Sequence, residues 1–277
     1  MAILSEYPDL VKSIFLNKED NEAGIYGLRF FIRGKPWVVT IDDVIPFIGS
    51  ESSPSLTYAR LADMPAENGA YWGPVLEKGW SKVKGSYILS EGGWVENGIG
   101  ALLGFPTFTF YSSSMDSTLE LWELMKEYDE LDYLSGGGTS WWGNSCGIAS
   151  SHAYSIISVF ALRDQSGVIQ HRLYMVRNPW ATTYYSGNFR SSDSRWTDYF
   201  ISQVPYGVDP TTSQNHGIFF IPEEDIFSCF VDITVGHNRD SEGFSADWYD
   251  FEDDPDAISE RSYSVDVPRE TGSVYFQ

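Results

Sequence analysis

The chain is poor in cysteine, histidine and basic residues, and each shortage removes a class of function. Cys146 and Cys229 are its two cysteines among 277 residues, and its four histidines are His152, His171, His216 and His237. No histidine belongs to an H-E-x-x-H pair and the cysteines form no C-x-x-C, so a structural or catalytic transition metal is not expected. Lysine and arginine number 18 against 39 acidic residues, a formal charge of -21. A field of that sign repels phosphate backbones and anionic lipid, so neither nucleic acid nor a membrane is expected as a partner. No run approaches the ~18 apolar residues of a membrane span, and the amino end lacks a secretory signal pattern. Two cysteines and no Asn-x-Ser/Thr acceptor fit a reducing compartment, and a cytoplasmic location is expected. There is no G-x-S-x-G elbow and no P-loop; Gly136-Gly137-Gly138 lacks a phosphate-facing lysine and reads as a flexible turn between helix and strand.

What is present suffices for a sizeable core, with 42% hydrophobic residues. "MAILSEYPDLVKSIFL" reads as the tail of one helix, a break at Tyr7 and a short second helix starting on Pro8. "YGLRFFIRGKPWVVTIDDVIPF" reads as two strands around Arg33-Gly34-Lys35. Pro74 suits a first helical position, with Leu76, Trp80 and Val83 on one face through Lys84, and a glycine-rich loop is expected at Gly92-Gly93. Ser117 with Glu120 has capping-box spacing and opens a helix striped by Leu121, Leu124, Met125 and Tyr128. From His152 onward, "HAYSIISVFAL", "IQHRLYMVRN" and "GIFFIPEEDIFSCFVDITV" are strand-rich. Helices early and strands late predict an α+β fold in two lobes. Beyond Val235 an acidic run without a basic residue, Asp240 to Asp256, reads as a linker, and "RSYSVDVPRETGSVYFQ" as the first strands of a further domain.

One constellation carries chemistry. His152 opens a strand-like run, and Asn178 closes the next one, followed by Pro179 and Trp180. If the two runs are antiparallel neighbours, the start of one lies beside the end of the other. The Asn178 amide oxygen can then accept the imidazole N–H and fix its tautomer while Trp180 covers the bond. Such an imidazole is half of a nucleophile-activating pair whose other half is ordinarily a thiol. On residue types alone, a structural histidine is the commoner occurrence at a strand start.

Several blocks tip that balance. "AGIYGLRFFIRGKPWVVTIDDVIP", "YWGPVLEKGWSKVKGSYILSEGG", "HAYSI", "RNPW" and "HGIFFIPEEDIFSCF", in this order, resemble the catalytic core of the calpain family of papain-like cysteine proteases over about residues 1 to 236. The resemblance implies a papain-like two-lobed core, with 1–105 the remainder of the cysteine-bearing lobe, 106–237 the second lobe and 238–277 the linker and start of a further β domain. It implies His152 as general base and later acid, Asn178 as its orienting partner and Trp180 as the shielding indole. The family's thiol sits at a helix start in a glycine-aspartate-cysteine-tryptophan block, which would fall just before Met1. Neither Cys146, in the loop before His152, nor Cys229, in a core-like strand, replaces it. The implied activity is endopeptidase cleavage of protein substrates, with this chain alone inactive. The rival is a non-catalytic scaffold or binding module of a larger, for instance cytoskeletal, assembly. The family's calcium pattern would place carboxylates where this chain has Ala70, Tyr184, His216 and Ile218. No cofactor is therefore expected; the family resemblance alone implies calcium, at ligand positions that are substituted here.

Overall fold

Tyr7, preceding a proline, is pushed out of helical dihedrals, and the chain breaks there: a 3₁₀ turn over Ala2–Glu6 gives way to α1 (Pro8–Ile14). The structure is a computed structural model that describes residues 1–59, 71–182 and 184–238. Strands β1 (Ile25–Ile32) and β2 (Lys35–Asp42) form an antiparallel hairpin. Its two-residue turn puts Arg33 and Gly34 at φ 52° and 76°, the double positive φ of a tight hairpin. A small hairpin of β3 (Phe47–Ser50) and β4 (Ser53–Leu56) follows, then α2 (Trp72–Lys84). Helix α2 starts two residues ahead of Pro74, which sits inside its first turn.

The segment "VENGIGALL", unread in the sequence, is α3 (Val95–Leu103). It lacks a side-chain cap and carries two glycines, and it is held by burying Ile99, Leu102 and Leu103. Gly92 and Gly93 lie in the bend that leads into it. Then come β5 (Thr107–Tyr111) and α4 (Thr118–Glu130), whose Ser117 hydroxyl accepts the Glu120 N–H as the sequence spacing predicts. The remainder is β6 (Leu134–Gly138), β7 (Ala153–Arg163), β8 (Ile169–Arg177), α5 (Asp198–Ile201), β9 (Ile218–Pro222), α6 (Ile226–Cys229) and β10 (Asp232–Gly236). The fold is α+β. Strands β5 to β10 form one six-stranded antiparallel sheet in the order β5-β10-β6-β7-β8-β9.

The glycine run is not a flexible turn. Gly136, Gly137 and Gly138 are in β6, paired to β10 on one side and β7 on the other. A Cβ on each would lie 2.7 Å from Ile3 Cδ1, 2.7 Å from Phe230 Cδ1 and 2.6 Å from an Asp232 carboxylate oxygen, respectively. The glycines are there because neighbours from both faces close onto the strand, not because the chain must bend.

Alternate residues of β8 point to opposite sides. Tyr174 and Val176 join a core beneath α4 with Tyr154, Phe219 and Phe230, while Leu173 and Met175 join a second with Phe160, Phe220 and Trp196. A third core packs α1, β1, α2 and α3 together through Leu10, Ile14, Leu28, Phe30, Leu76 and Ile99. The acidic run and the strand-like tail lie outside the described residues.

The two cysteines are not free thiols. Cys146 and Cys229 form a disulfide, their Cα atoms 5.3 Å apart, between the loop before β7 and the end of α6. This overturns the expectation of reduced cysteines and withdraws cysteine content as an argument for a reducing compartment. Sequence distance concealed a pairing that the sheet order creates, since β10, following α6, lies beside β6, which leads into the Cys146 loop.

Candidate active site

His152 immediately precedes β7 and Asn178 immediately follows β8. The β7–β8 register pairs Ser155 with Arg177, so the two side chains meet at one end of the ladder. His152 Nε2 lies 2.9 Å from Asn178 Oδ1. The amide orientation is fixed from both sides: Oδ1 also accepts the Trp180 N–H at 3.0 Å, and Nδ2 donates to the Thr182 carbonyl. With Oδ1 committed as acceptor, Nε2 must donate, which leaves the Nδ1 lone pair free to take a proton.

The Trp180 indole stacks on the imidazole, ring centroids 3.7 Å apart and planes 26° from parallel. Tyr154 meets the imidazole edge-on at 4.8 Å. Trp180 is itself 59% exposed, so one face covers the histidine and the other meets solvent. Burial pulls the imidazole below the ordinary histidine range, and the Asn178 hydrogen bond offsets part of that shift.

The backbone around the pair is anchored. Thr139 and His152 exchange N–H···O contacts: the Thr139 N–H donates to the His152 carbonyl and the Thr139 hydroxyl accepts the His152 N–H, each at 3.0 Å. Between them the loop is braced by Asn144, whose amide bonds the Ile148 carbonyl and the Cys146 N–H, and by the Tyr154 hydroxyl accepting the Ala149 N–H. The disulfide fastens the same loop to α6. On the other strand, the Asn178 N–H donates to the Gly217 carbonyl at 2.9 Å. Gly217 has φ 77°, and a Cβ there would lie 2.5 Å from the Asn178 backbone carbonyl oxygen. Asn178 is 1% exposed.

His152, with Trp180 beside it, opens onto a cleft of about 890 Å³. Its walls carry Trp80, Trp94, Trp141 and Trp180, and its floor includes Gly138, Ala153 and Asp232. Sequence reasoning missed Asp232; an acid at a buried position of a strand in "FVDITV" was the available signal.

The positions implied for calcium do not fit that ion. Ala70 lies outside the described residues. Ile218 is buried at the start of β9, the Tyr184 hydroxyl donates to the Ala181 carbonyl, and His216 ends a 3₁₀ turn. A hard cation needs several oxygens at once, and none of these supplies a carboxylate. Among the described residues no group of three or more His, Cys, Asp or Glu converges on a common point. Calorimetric titration of the chain with calcium is expected to show no micromolar binding; a saturable micromolar heat would refute this.

A protein-family model described as calpain family cysteine protease matches residues 1–237. Among curated proteins, the chain is similar to the calpain-type cysteine protease ADL1 of Oryza sativa subsp. japonica, 28% identical over 245 residues, covering 85% of this chain and 10% of that protein. It is 29% identical over 246 residues to the calpain-type cysteine protease DEK1 of Arabidopsis thaliana, covering 85% of this chain and 11% of the relative. Calpain clp-1 of Caenorhabditis elegans is 28% identical over 220 residues, 77% of this chain and 26% of the relative. The chain thus spans about a tenth of the plant relatives and about a quarter of the nematode one.

Proposed function

The chain belongs to the calpain family of cysteine proteases, and from that premise we propose that it is the histidine- and asparagine-bearing part of a Cys-His-Asn endopeptidase acting on protein substrates. The observation that carries this reading is the 2.9 Å contact of His152 Nε2 with Asn178 Oδ1 beneath Trp180, facing a cleft. It leaves Nδ1 as the free base.

In the proposed reaction Nδ1 of His152 accepts a thiol proton, and the thiolate adds to the scissile carbonyl carbon. The imidazolium then returns that proton to the leaving amine as the C–N bond breaks, and an acyl-enzyme forms. Water, deprotonated by the same nitrogen, adds to the thioester carbonyl; the C–S bond breaks, the acid leaves and the imidazolium returns its proton to the sulfur. Asn178 holds the ring in the required tautomer throughout. The thiol comes from neither Cys146 nor Cys229, since both sulfurs are in the disulfide and both residues are buried. It is supplied by a cysteine that the 277-residue chain does not contain.

The 277-residue polypeptide is accordingly expected to leave casein and a fluorogenic peptide uncut, in oxidising and in reducing buffer. A polypeptide that carries the family's cysteine block ahead of residue 1 is expected to cut both and to lose that activity with iodoacetamide. Turnover by the chain alone that vanishes in Cys146→Ala would move the active site elsewhere. An inert extended polypeptide with its cysteine in place would favour the scaffold reading.

A further inference from the structure

Asp232 is a carboxylate in the wrong place for a structural residue. It is 6% exposed, it lines the cleft, and among the described residues no cation forms an ion pair with it. Its polar support is the Gly138 N–H, and the charge that acts on it is another acid, Glu96, whose carboxylate lies 3.5 Å from the Thr234 hydroxyl. Burial, then Glu96, hold the Asp232 carboxyl above the usual range. A buried carboxylate beside a second one is unfavourable unless a cation completes it.

The sheet has made room for this group. A Cβ at Gly138 would lie 2.6 Å from an Asp232 oxygen, so the carboxylate occupies the space a side chain at 138 would fill. Asp232 pairs with Gly138, and Gly138 pairs with Ala153, the neighbour of His152. Two ladder spacings put Asp232 roughly 10 Å from Ala153, the length of about three residues of extended peptide. The one lysine on the cleft wall, Lys84, has its ammonium 5.3 Å from the Trp80 ring centroid. Trp94 and Trp141, 66% and 78% exposed, stand on the walls as bare indoles, surfaces on which a guanidinium or ammonium stem packs well.

We propose that Asp232, backed by Glu96, is the specificity-determining group of a subsite that takes an arginine or lysine side chain of the bound polypeptide, about three residues from the bond attacked. This rests on the reading of the cleft as a polypeptide-binding site. The overall charge of -21 draws basic segments toward it, and Asp232 sets the register in which one docks.

The test uses the 277-residue chain and capped alanine hexapeptides in which one arginine, or its neutral isostere citrulline, is walked through the positions. Binding is followed by amide and indole NMR shifts at physiological salt. At the best position the arginine peptide is expected to bind at least about tenfold more tightly than its citrulline twin, a charge-assisted contact's worth. It should shift the Ala153 and Gly138 amides, and Asp232→Asn should reduce the ratio to within about twofold. Should that variant not fold, the Asp232 carboxyl resonance of the wild-type chain serves instead: its pKa must fall on binding. Equal binding of arginine and citrulline peptides, a ratio unchanged in Asp232→Asn, or a carboxyl pKa that does not move would each overturn the subsite while leaving the proteolytic reading standing. Failure of every peptide to shift cleft resonances would overturn both.

Discussion

Asn178→Ala, placed in a polypeptide that also carries the family's cysteine block, is expected to lower kcat by about 10²- to 10⁴-fold, approaching the loss in His152→Ala. The histidine would lose the acceptor that keeps its proton on Nε2, and half or more of the rings would present the wrong nitrogen. Asn178 is not a dispensable orienter, however. Its oxygen also holds the Trp180 N–H and its nitrogen the Thr182 carbonyl, in a residue 1% exposed. The same substitution should therefore destabilise the fold by about 1–3 kcal/mol, because buried backbone groups lose partners. The two effects separate by measurement. In the 277-residue chain the His152 imidazole of Asn178→Ala should titrate lower than in the parent, since the one contact that raises its pKa is gone. A structural role alone would not predict that direction. An unchanged kcat in a folded Asn178→Ala variant would remove Asn178 from the mechanism.

Replacing Cys146 and Cys229 together by alanine is expected to lower the unfolding free energy by about 2–5 kcal/mol, since the bond closes a long loop of chain. For a protein of this size that corresponds to a Tm lower by roughly 5 to 15 °C. Dithiothreitol should do the same to the parent and nothing to the double variant, and alkylation followed by mass measurement should count no free thiols before reduction. An identical Tm with and without reductant would show that the sulfurs are not bonded in solution. The bond matters to the proposed chemistry as well. It fastens the loop that delivers His152, so the reductant used to keep a catalytic thiol active would loosen the seat of its partner.

The parts of this fold legible in the sequence are those in which neighbouring residues settle the outcome. Arg33-Gly34 gives a tight turn by local dihedrals, Ser117 and Glu120 meet within one helical turn, and His152 meets Asn178 because a hairpin connects their strands. What stayed hidden is decided by remote residues. Helix α3 has no cap, carries Gly98 and Gly100, and is held by the side chains it buries. The glycines of β6 have no side chains from which to read an alternation, and their reason lies with Ile3, Phe230 and Asp232. The disulfide and the Asp232 subsite likewise follow from strands brought together across the sheet.

The position of β10 has a consequence for how the molecule is made. The last strand among the described residues is not at the sheet's edge: it sits between β5 and β6, closing the ladder on both sides. A nascent chain that has not yet emerged past Gly236 presents two unsatisfied strand edges, at Thr107–Tyr111 and at the glycine run. Such edges recruit other chains. Early β6–β7–β8 meander contacts can form during synthesis, but the central gap can be filled only by a segment distant in sequence, a slow, high-contact-order step. Vectorial folding from the amino end therefore cannot complete the cleft, and a chaperone that shields the β5 and β6 edges until β10 arrives would raise the yield of soluble protein.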